Sequence, residues 1–123
     1  MTTTNILVDT YLAAFNEADP QRRRELVERA FTAEASYLDP VMAGAGHDGL
    51  DAMIAGAQAQ FPGHRFVLAG APDAHNDRVR FTWHLQPEAG GDVVAVGYDY
   101  ARVAPDDRLA EVTGFLEMGP PAA

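Results

Sequence analysis

Apolar side chains at Val8, Tyr11, Leu12 and Phe15 recur three and four residues apart, the spacing that gathers them on one face of a helix. Asp19-Pro20 then opens a second helix, because an aspartate can accept from the first free amides and a proline suits the first turn. That helix would bury Leu26, Val27, Ala30 and Phe31. Residues 35–39 read as a short strand with Ala35, Tyr37 and Asp39 on one face, stopped by Pro40, which has no amide to donate. After a glycine-rich loop, Asp48 would cap a third helix whose inward stripe is Leu50, Met53, Ile54, Ala57 and Phe61, with Pro62-Gly63 ending it.

From Arg65 onward the period changes to two. Turn signals at Asn76-Asp77, Ala89-Gly90-Gly91 and Pro105-Asp106-Asp107 divide this half into four long antiparallel strands. Three helices followed by such a meander form an α+β domain in which the helices cover one face of the sheet. In the strand over 93–103 both faces are largely apolar: Val93, Ala95, Gly97, Asp99, Ala101 and Val103 on one, Val94, Val96, Tyr98 and Tyr100 on the other. Helices can cover only one of them. The other would expose an aromatic patch, which predicts a homodimer packed through the outer sheet face.

The length of 123 residues fits a single domain, expected over 1–118 with a tail at 119–123. No apolar run approaches the ~20 residues that cross a bilayer. The first residues lack the charge and apolar core of a signal peptide, so a cytoplasmic location is expected. A net charge of −9 disfavours nucleic acid and anionic membranes as partners. All the basic residues are arginine, and the cluster Arg22, Arg23 and Arg24 reads as a solvated helix face.

Asp99 is the one charged residue on a strand face of small apolar groups. Buried without a cation it would be held neutral and could donate a hydrogen bond; at a wet sheet margin it would instead pair with Arg102 or Arg80. Asp39 leaves its strand beside Tyr37, where it suits either a general base or the side chain of a turn that bonds nearby amides. Tyr11, on the buried stripe of the first helix, needs a partner for its hydroxyl: a buried acid, backbone or water. Phe81 and Trp83 face inward, and Arg80, Thr82 and His84 outward. His47, His64, His75 and His84 lack the spacing of a metal site, so no metal is expected. No phosphate loop or nucleophile elbow is present.

The segments Tyr11-Leu12-Ala13-Ala14-Phe15-Asn16, Tyr37-Leu38-Asp39-Pro40, Gly97-Tyr98-Asp99-Tyr100 and Val112-Thr113-Gly114-Phe115-Leu116 together resemble the SnoaL-like branch of the nuclear transport factor 2-like superfamily. The resemblance implies a cone-shaped α+β barrel, with three N-terminal helices packed on a strongly curved, mainly antiparallel sheet around an apolar pocket. It also implies a homodimer and chemistry without a cofactor. Tyr11, Asp39 and Asp99 match the positions that steroid Δ-isomerases of that superfamily use. By that resemblance Asp39 would be the base that moves a proton beside a carbonyl, with Tyr11 and neutral Asp99 stabilising the enolate oxygen, the division of labour of ketosteroid isomerase. Phe81, Trp83, Val112, Gly114 and Leu116 would form pocket walls, completed by Tyr37 and Phe61. The expected partner is a small apolar molecule, and the bulk of Trp83 points to one smaller than a steroid. The reading from another class is a non-catalytic binding or dimerisation module built on the same pocket.

Overall fold

Two of the three helices start where a side chain can accept from their free amides. The computed structural model describes residues 2–119. Thr2 caps α1 (Thr3–Asn16) by accepting from Asn5, and Asp19 caps α2 (Pro20–Ala30) by accepting from Arg22, with Pro20 in the first turn. The third, α3 (Gly46–Gln60), departs from expectation. Its cap is Ala45, which has no side chain to offer, and Asp48 lies inside the first turn, paired to Arg24. There the carboxylate still favours the positive end of the helix.

The strands are β1 (Phe31–Leu38), β2 (Ala43–Ala45), β3 (His64–Leu68), β4 (Asp73–His75), β5 (Arg78–Pro87), β6 (Ala95–Val103) and β7 (Leu109–Met118). Strand β1 begins earlier than the pattern predicts: Phe31 is extended at φ −122° and starts the strand instead of ending α2. The first of the four long strands is also two, β3 and β4, because Gly70 at φ +79° and Pro72 break it; both pieces pair with β5. The turns at Asn76, Gly90 and Asp107 fall where the sequence puts them, each at positive φ.

These seven strands make one curved mixed sheet in the order β2-β1-β7-β6-β5-β3, with β4 on β5. All pairings are antiparallel except β1 with β7. The cone-shaped α+β architecture is as expected, and the sheet stays open. The parallel pairing matters for the site, because it sets Tyr37 beside Val112 and brings the end of β1 next to Gly114.

The helices cover the inner face through Val8, Leu12, Phe15, Val27, Leu50 and Ile54, all buried with Phe31, Leu109 and Val112. Each such side chain contributes about 1.5–3 kcal/mol on leaving water. Asn16 ties the end of α1 to β3 by exchanging two hydrogen bonds with the backbone of Phe66, at 2.8 and 2.7 Å. Arg23 corrects the reading of the arginine cluster as solvated. It is buried, bonds Asp51 at 2.9 Å and Gln58, and Gln58 in turn donates to the carbonyls of Phe15 and Glu17 at the end of α1. Among the described residues no helix is long and apolar enough to cross a membrane. Of the expected tail, Gly119 donates to the Val94 carbonyl at 2.8 Å and 120–123 lie outside the described residues.

Candidate functional site

Asp99 sits mid-strand on β6, opposite Phe81 of β5 and Gly114 of β7, and is 1% exposed. Such burial of a carboxylate demands hydrogen-bond donors or a proton. Two donors reach it, the Tyr11 hydroxyl from α1 at 2.7 Å and the Trp83 indole N–H from β5 at 2.9 Å, and both go to Oδ2. Oδ1 is buried with no partner. Neither Arg80 nor Arg102 pairs with it: Arg80 faces outward onto Asp73. Burial, reinforced by the nearby Asp39 charge, outweighs the two donors and pushes the Asp99 carboxyl up to about 6.

Tyr11 is held on the same inner face by rings around it, Phe15 at 4.9 Å, Phe81 edge-on at 5.2 Å and Phe31 at 5.7 Å between centroids. Burial first, then the Asp99 charge, holds its phenol far above the ordinary tyrosine range, so it acts as a neutral donor. Trp83 is fixed differently. Its indole lies directly over Gly97 of β6, where any Cβ would come within 2.0 Å of the ring, and its edge contacts Phe66 at 5.0 Å. Glycine at 97 is therefore what admits the indole.

Asp39 lies just past the end of β1, buried, and its oxygens accept three hydrogen bonds. The Tyr37 hydroxyl donates to Oδ2 at 2.6 Å, and the amides of Val41 and Met42 donate to Oδ1 at 2.8 and 2.9 Å. The turn expected of Asp39-Pro40 is thus formed, by a carboxylate that is also buried. A carboxylate has about four acceptor positions, so one remains. The Tyr37 phenol is also held above its usual range, by burial first and then by Asp99 and Asp39.

The two acids meet at Gly114. A Cβ there would lie 2.9 Å from Asp99 Oδ1, 3.1 Å from the Tyr37 hydroxyl and 3.1 Å from Asp39 Cβ. Those distances leave no room even for a methyl, so glycine at 114 is what lets the orphan acid oxygen, the phenol and the second acid crowd against β7. Met42, joined to Asp39 through the turn, and Leu116, two residues along β7 from Gly114, are half-buried and pack against the core.

The structure therefore brings together Tyr11, Tyr37, Asp39, Trp83, Asp99 and Gly114, with Phe81 and Val112 as buried neighbours. It does not gather Phe61, whose aromatic neighbour is His64 at the end of α3. In the interior expected as an apolar pocket, the rings of Tyr11, Phe15, Phe31, Phe66, Phe81 and Trp83 pack on one another. Larger grooves, of about 630 and 590 Å³, open on the outer sheet face, the first lined by Arg78, Arg80, Arg102, Tyr100 and Glu111 and the second by Leu38, Ala43 and Thr113. Sequence reasoning missed that Trp83 and Tyr37 are hydrogen-bond donors to the acids. The signal for Tyr37 was its i,i+2 position before Asp39; for Trp83 it was the inward parity shared with Asp99. Among the described residues no three His, Asp or Glu side chains are grouped to hold a metal.

Three helices packed on a curved, open mixed sheet, with two buried acids on its inner face, make this an α+β cone-fold domain. A family model described as the SnoaL-like domain matches residues 8–112, and the chain belongs to that family. It is similar to a candidate isomerase of the SnoaL-like family from Agrobacterium tumefaciens str. C58, with 46% identity, a TM-score of 0.89 and coverage of 95% of this chain and 99% of that one. The same fold, at 14% identity and a TM-score of 0.71, occurs in a SnoaL-like protein of unknown function from Burkholderia thailandensis E264, covering 95% and 98% of the two chains. It occurs too in a candidate polyketide cyclase from Sinorhizobium meliloti, at 13% identity and a TM-score of 0.66, covering 93% and 99%. Among curated proteins, none matches the chain.

Proposed function

We propose that this protein is a proton-transfer enzyme, an isomerase, cyclase or dehydratase that acts on a small carbonyl compound without a cofactor. The observation that carries this is the unpartnered Oδ1 of a buried Asp99, whose raised carboxyl keeps its proton up to about pH 6, lying with Asp39 on the same side of Gly114. A carbonyl oxygen seated over Gly114 would accept from Asp99, and its negative charge would be stabilised as it develops. Asp39, through its remaining acceptor position, would take the proton beside that carbonyl and return it elsewhere. Because even a methyl would be too close at Gly114, the ligand must open space between Asp99 and Asp39 as it binds.

The test is proton–deuterium exchange beside the carbonyl of small cyclic ketones, followed by NMR, together with isomerisation of cyclohex-3-enone to the conjugated product. Asp39→Asn is expected to lose about a hundredfold or more in both, the usual contribution of a general base. Equal rates for the variant and the parent would remove Asp39 as base.

One observation favours a second reading, a binding module without turnover: three of the acceptor positions on Asp39 are already filled by Tyr37 and its own turn. That reading expects the parent to bind small ketones while leaving their protons unexchanged.

We also infer that a second copy of the chain covers the outer sheet face. Leu38, Tyr100 and Phe115 stand about half exposed there in neighbouring cross-strand positions, at 59%, 48% and 55%. Arg102 and Glu111 on the same face offer charges that a two-fold partner can pair.

A further inference from the structure

We propose that Trp83 is a positioning residue for this site: its indole N–H, sharing Oδ2 of Asp99 with the Tyr11 hydroxyl, forces the acid's proton onto Oδ1, the oxygen that lies against Gly114. The inference rests on the reading of Asp99 as a neutral donor. In isolation the two oxygens of a carboxylic acid are equivalent, and something must break that symmetry. Tyr11 alone would not, because a phenol can turn and accept from a protonated Oδ2 as readily as it donates. An indole N–H can only donate. The hydroxyl oxygen of a carboxylic acid is a much weaker acceptor than its carbonyl oxygen, so protonating Oδ2 would leave the Trp83 N–H poorly satisfied in a site where Trp83 is 4% exposed. The indole cannot turn away, being held over Gly97 and against Phe66.

The consequence is a ligand class. With the proton on Oδ1, a group that reaches this oxygen from the Gly114 side must be an acceptor, such as a carbonyl or enolate oxygen, and a group that can only donate, such as an ammonium, is disfavoured there. Trp83 thereby acts through Asp99 and touches no reacting atom itself.

The chain has a single tryptophan, so a ¹H–¹⁵N spectrum of the ligand-free protein carries one indole signal. That signal is expected to move with pH through the same midpoint as the ¹³C-labelled Asp99 carboxyl, near 6. Trp83→Phe is expected to raise the carboxyl midpoint by about one pH unit, because the ionised form loses a charge-assisted donor. Placing β-(3-benzothienyl)alanine at position 83 keeps the bicyclic shape and replaces the N–H by sulfur, so it must give the same upward shift if donation, and not packing, is responsible. An indole signal flat from pH 4 to 8, or an Asp99 midpoint unmoved by both substitutions, overturns the role of Trp83 while leaving the raised Asp99 midpoint in place. A parental midpoint in the ordinary aspartate range overturns the neutral-acid reading and this proposal together. For the ligand class, 4-nitrophenolate is expected to bind at least tenfold more tightly than 4-nitroaniline of the same shape, and equal binding, or binding of neither, overturns it.

Discussion

Gly114 on β7 faces Asp99 on β6 so closely that a Cβ at position 114 would stand 2.9 Å from the orphan Oδ1. The glycine is therefore a volume requirement, since its φ is not positive and no turn depends on it. Gly114→Ala would press a methyl against Asp99, Tyr37 and Asp39 at once. We expect it to cost about 1–3 kcal/mol of stability as an overpacked core site and to abolish both ketone exchange and ligand binding. Urea denaturation and the exchange assay, run on the same variant, check both halves.

Asp99 also sets a pH dependence whose sign is the reverse of the usual aspartate. Its folded-state midpoint is raised from 3.8 to about 6, so between those values the folded chain keeps a proton that the unfolded chain has released. Stability from this group is complete below the unfolded value and is lost as pH rises through about 6, by roughly 3 kcal/mol in all. Asp99→Asn mimics the neutral acid: its carbonyl can accept from Tyr11 and Trp83 while its amide takes the place of Oδ1 beside Gly114. The difference in unfolding free energy between variant and parent should therefore move in favour of the variant by about that amount from pH 4 to pH 8. A difference constant across that range would show that Asp99 is not perturbed.

Arg22 and Arg23 are adjacent in the sequence and opposite in consequence. Arg23 is buried on Asp51 and Gln58, whereas Arg22 is exposed. Arg23→Ala is expected to destabilise by about 1–3 kcal/mol, since it strands polar partners between α1, α2 and α3. Arg22→Ala should stay within about 0.5 kcal/mol of the parent. Denaturant midpoints of the two variants, measured side by side, decide.

Phe115 packs its ring edge-on against Tyr100 at 5.9 Å on the outer sheet face. If a second copy covers that face, Phe115→Glu should convert a dimer to a monomer by sedimentation at micromolar concentration, with the fold unchanged by circular dichroism. A parental chain that is already monomeric there would count against the interface.

The local pattern carried much of this. Helical spacing identified Tyr11 as inward, parity along the strands identified Phe81, Trp83 and Asp99 as facing one interior, and the turns at Asn76, Gly90 and Asp107 followed from residue chemistry. The break at Gly70 was also written in the chain, beside Pro72, but was overridden by the alternation running on either side.

By itself, then, the sequence determined most of the elements and the inward side of most of them, because helical and strand periods are properties of neighbouring residues. The start of β1 at Phe31, the short β2 and the division of β3 from β4 were not read from that pattern. Only the tertiary structure decided which carboxyl oxygen is bonded and which is orphaned, that Arg23 is buried while Arg22 is not, and that a glycine lies between the two acids. The physical reason is separation along the chain. The Tyr11–Asp99 bond joins residues 88 positions apart, and the two donors on Oδ2 arrive from different elements. Hydrogen-bond partners of a buried group are fixed by whichever segments the packing brings past it, and no local spacing records that.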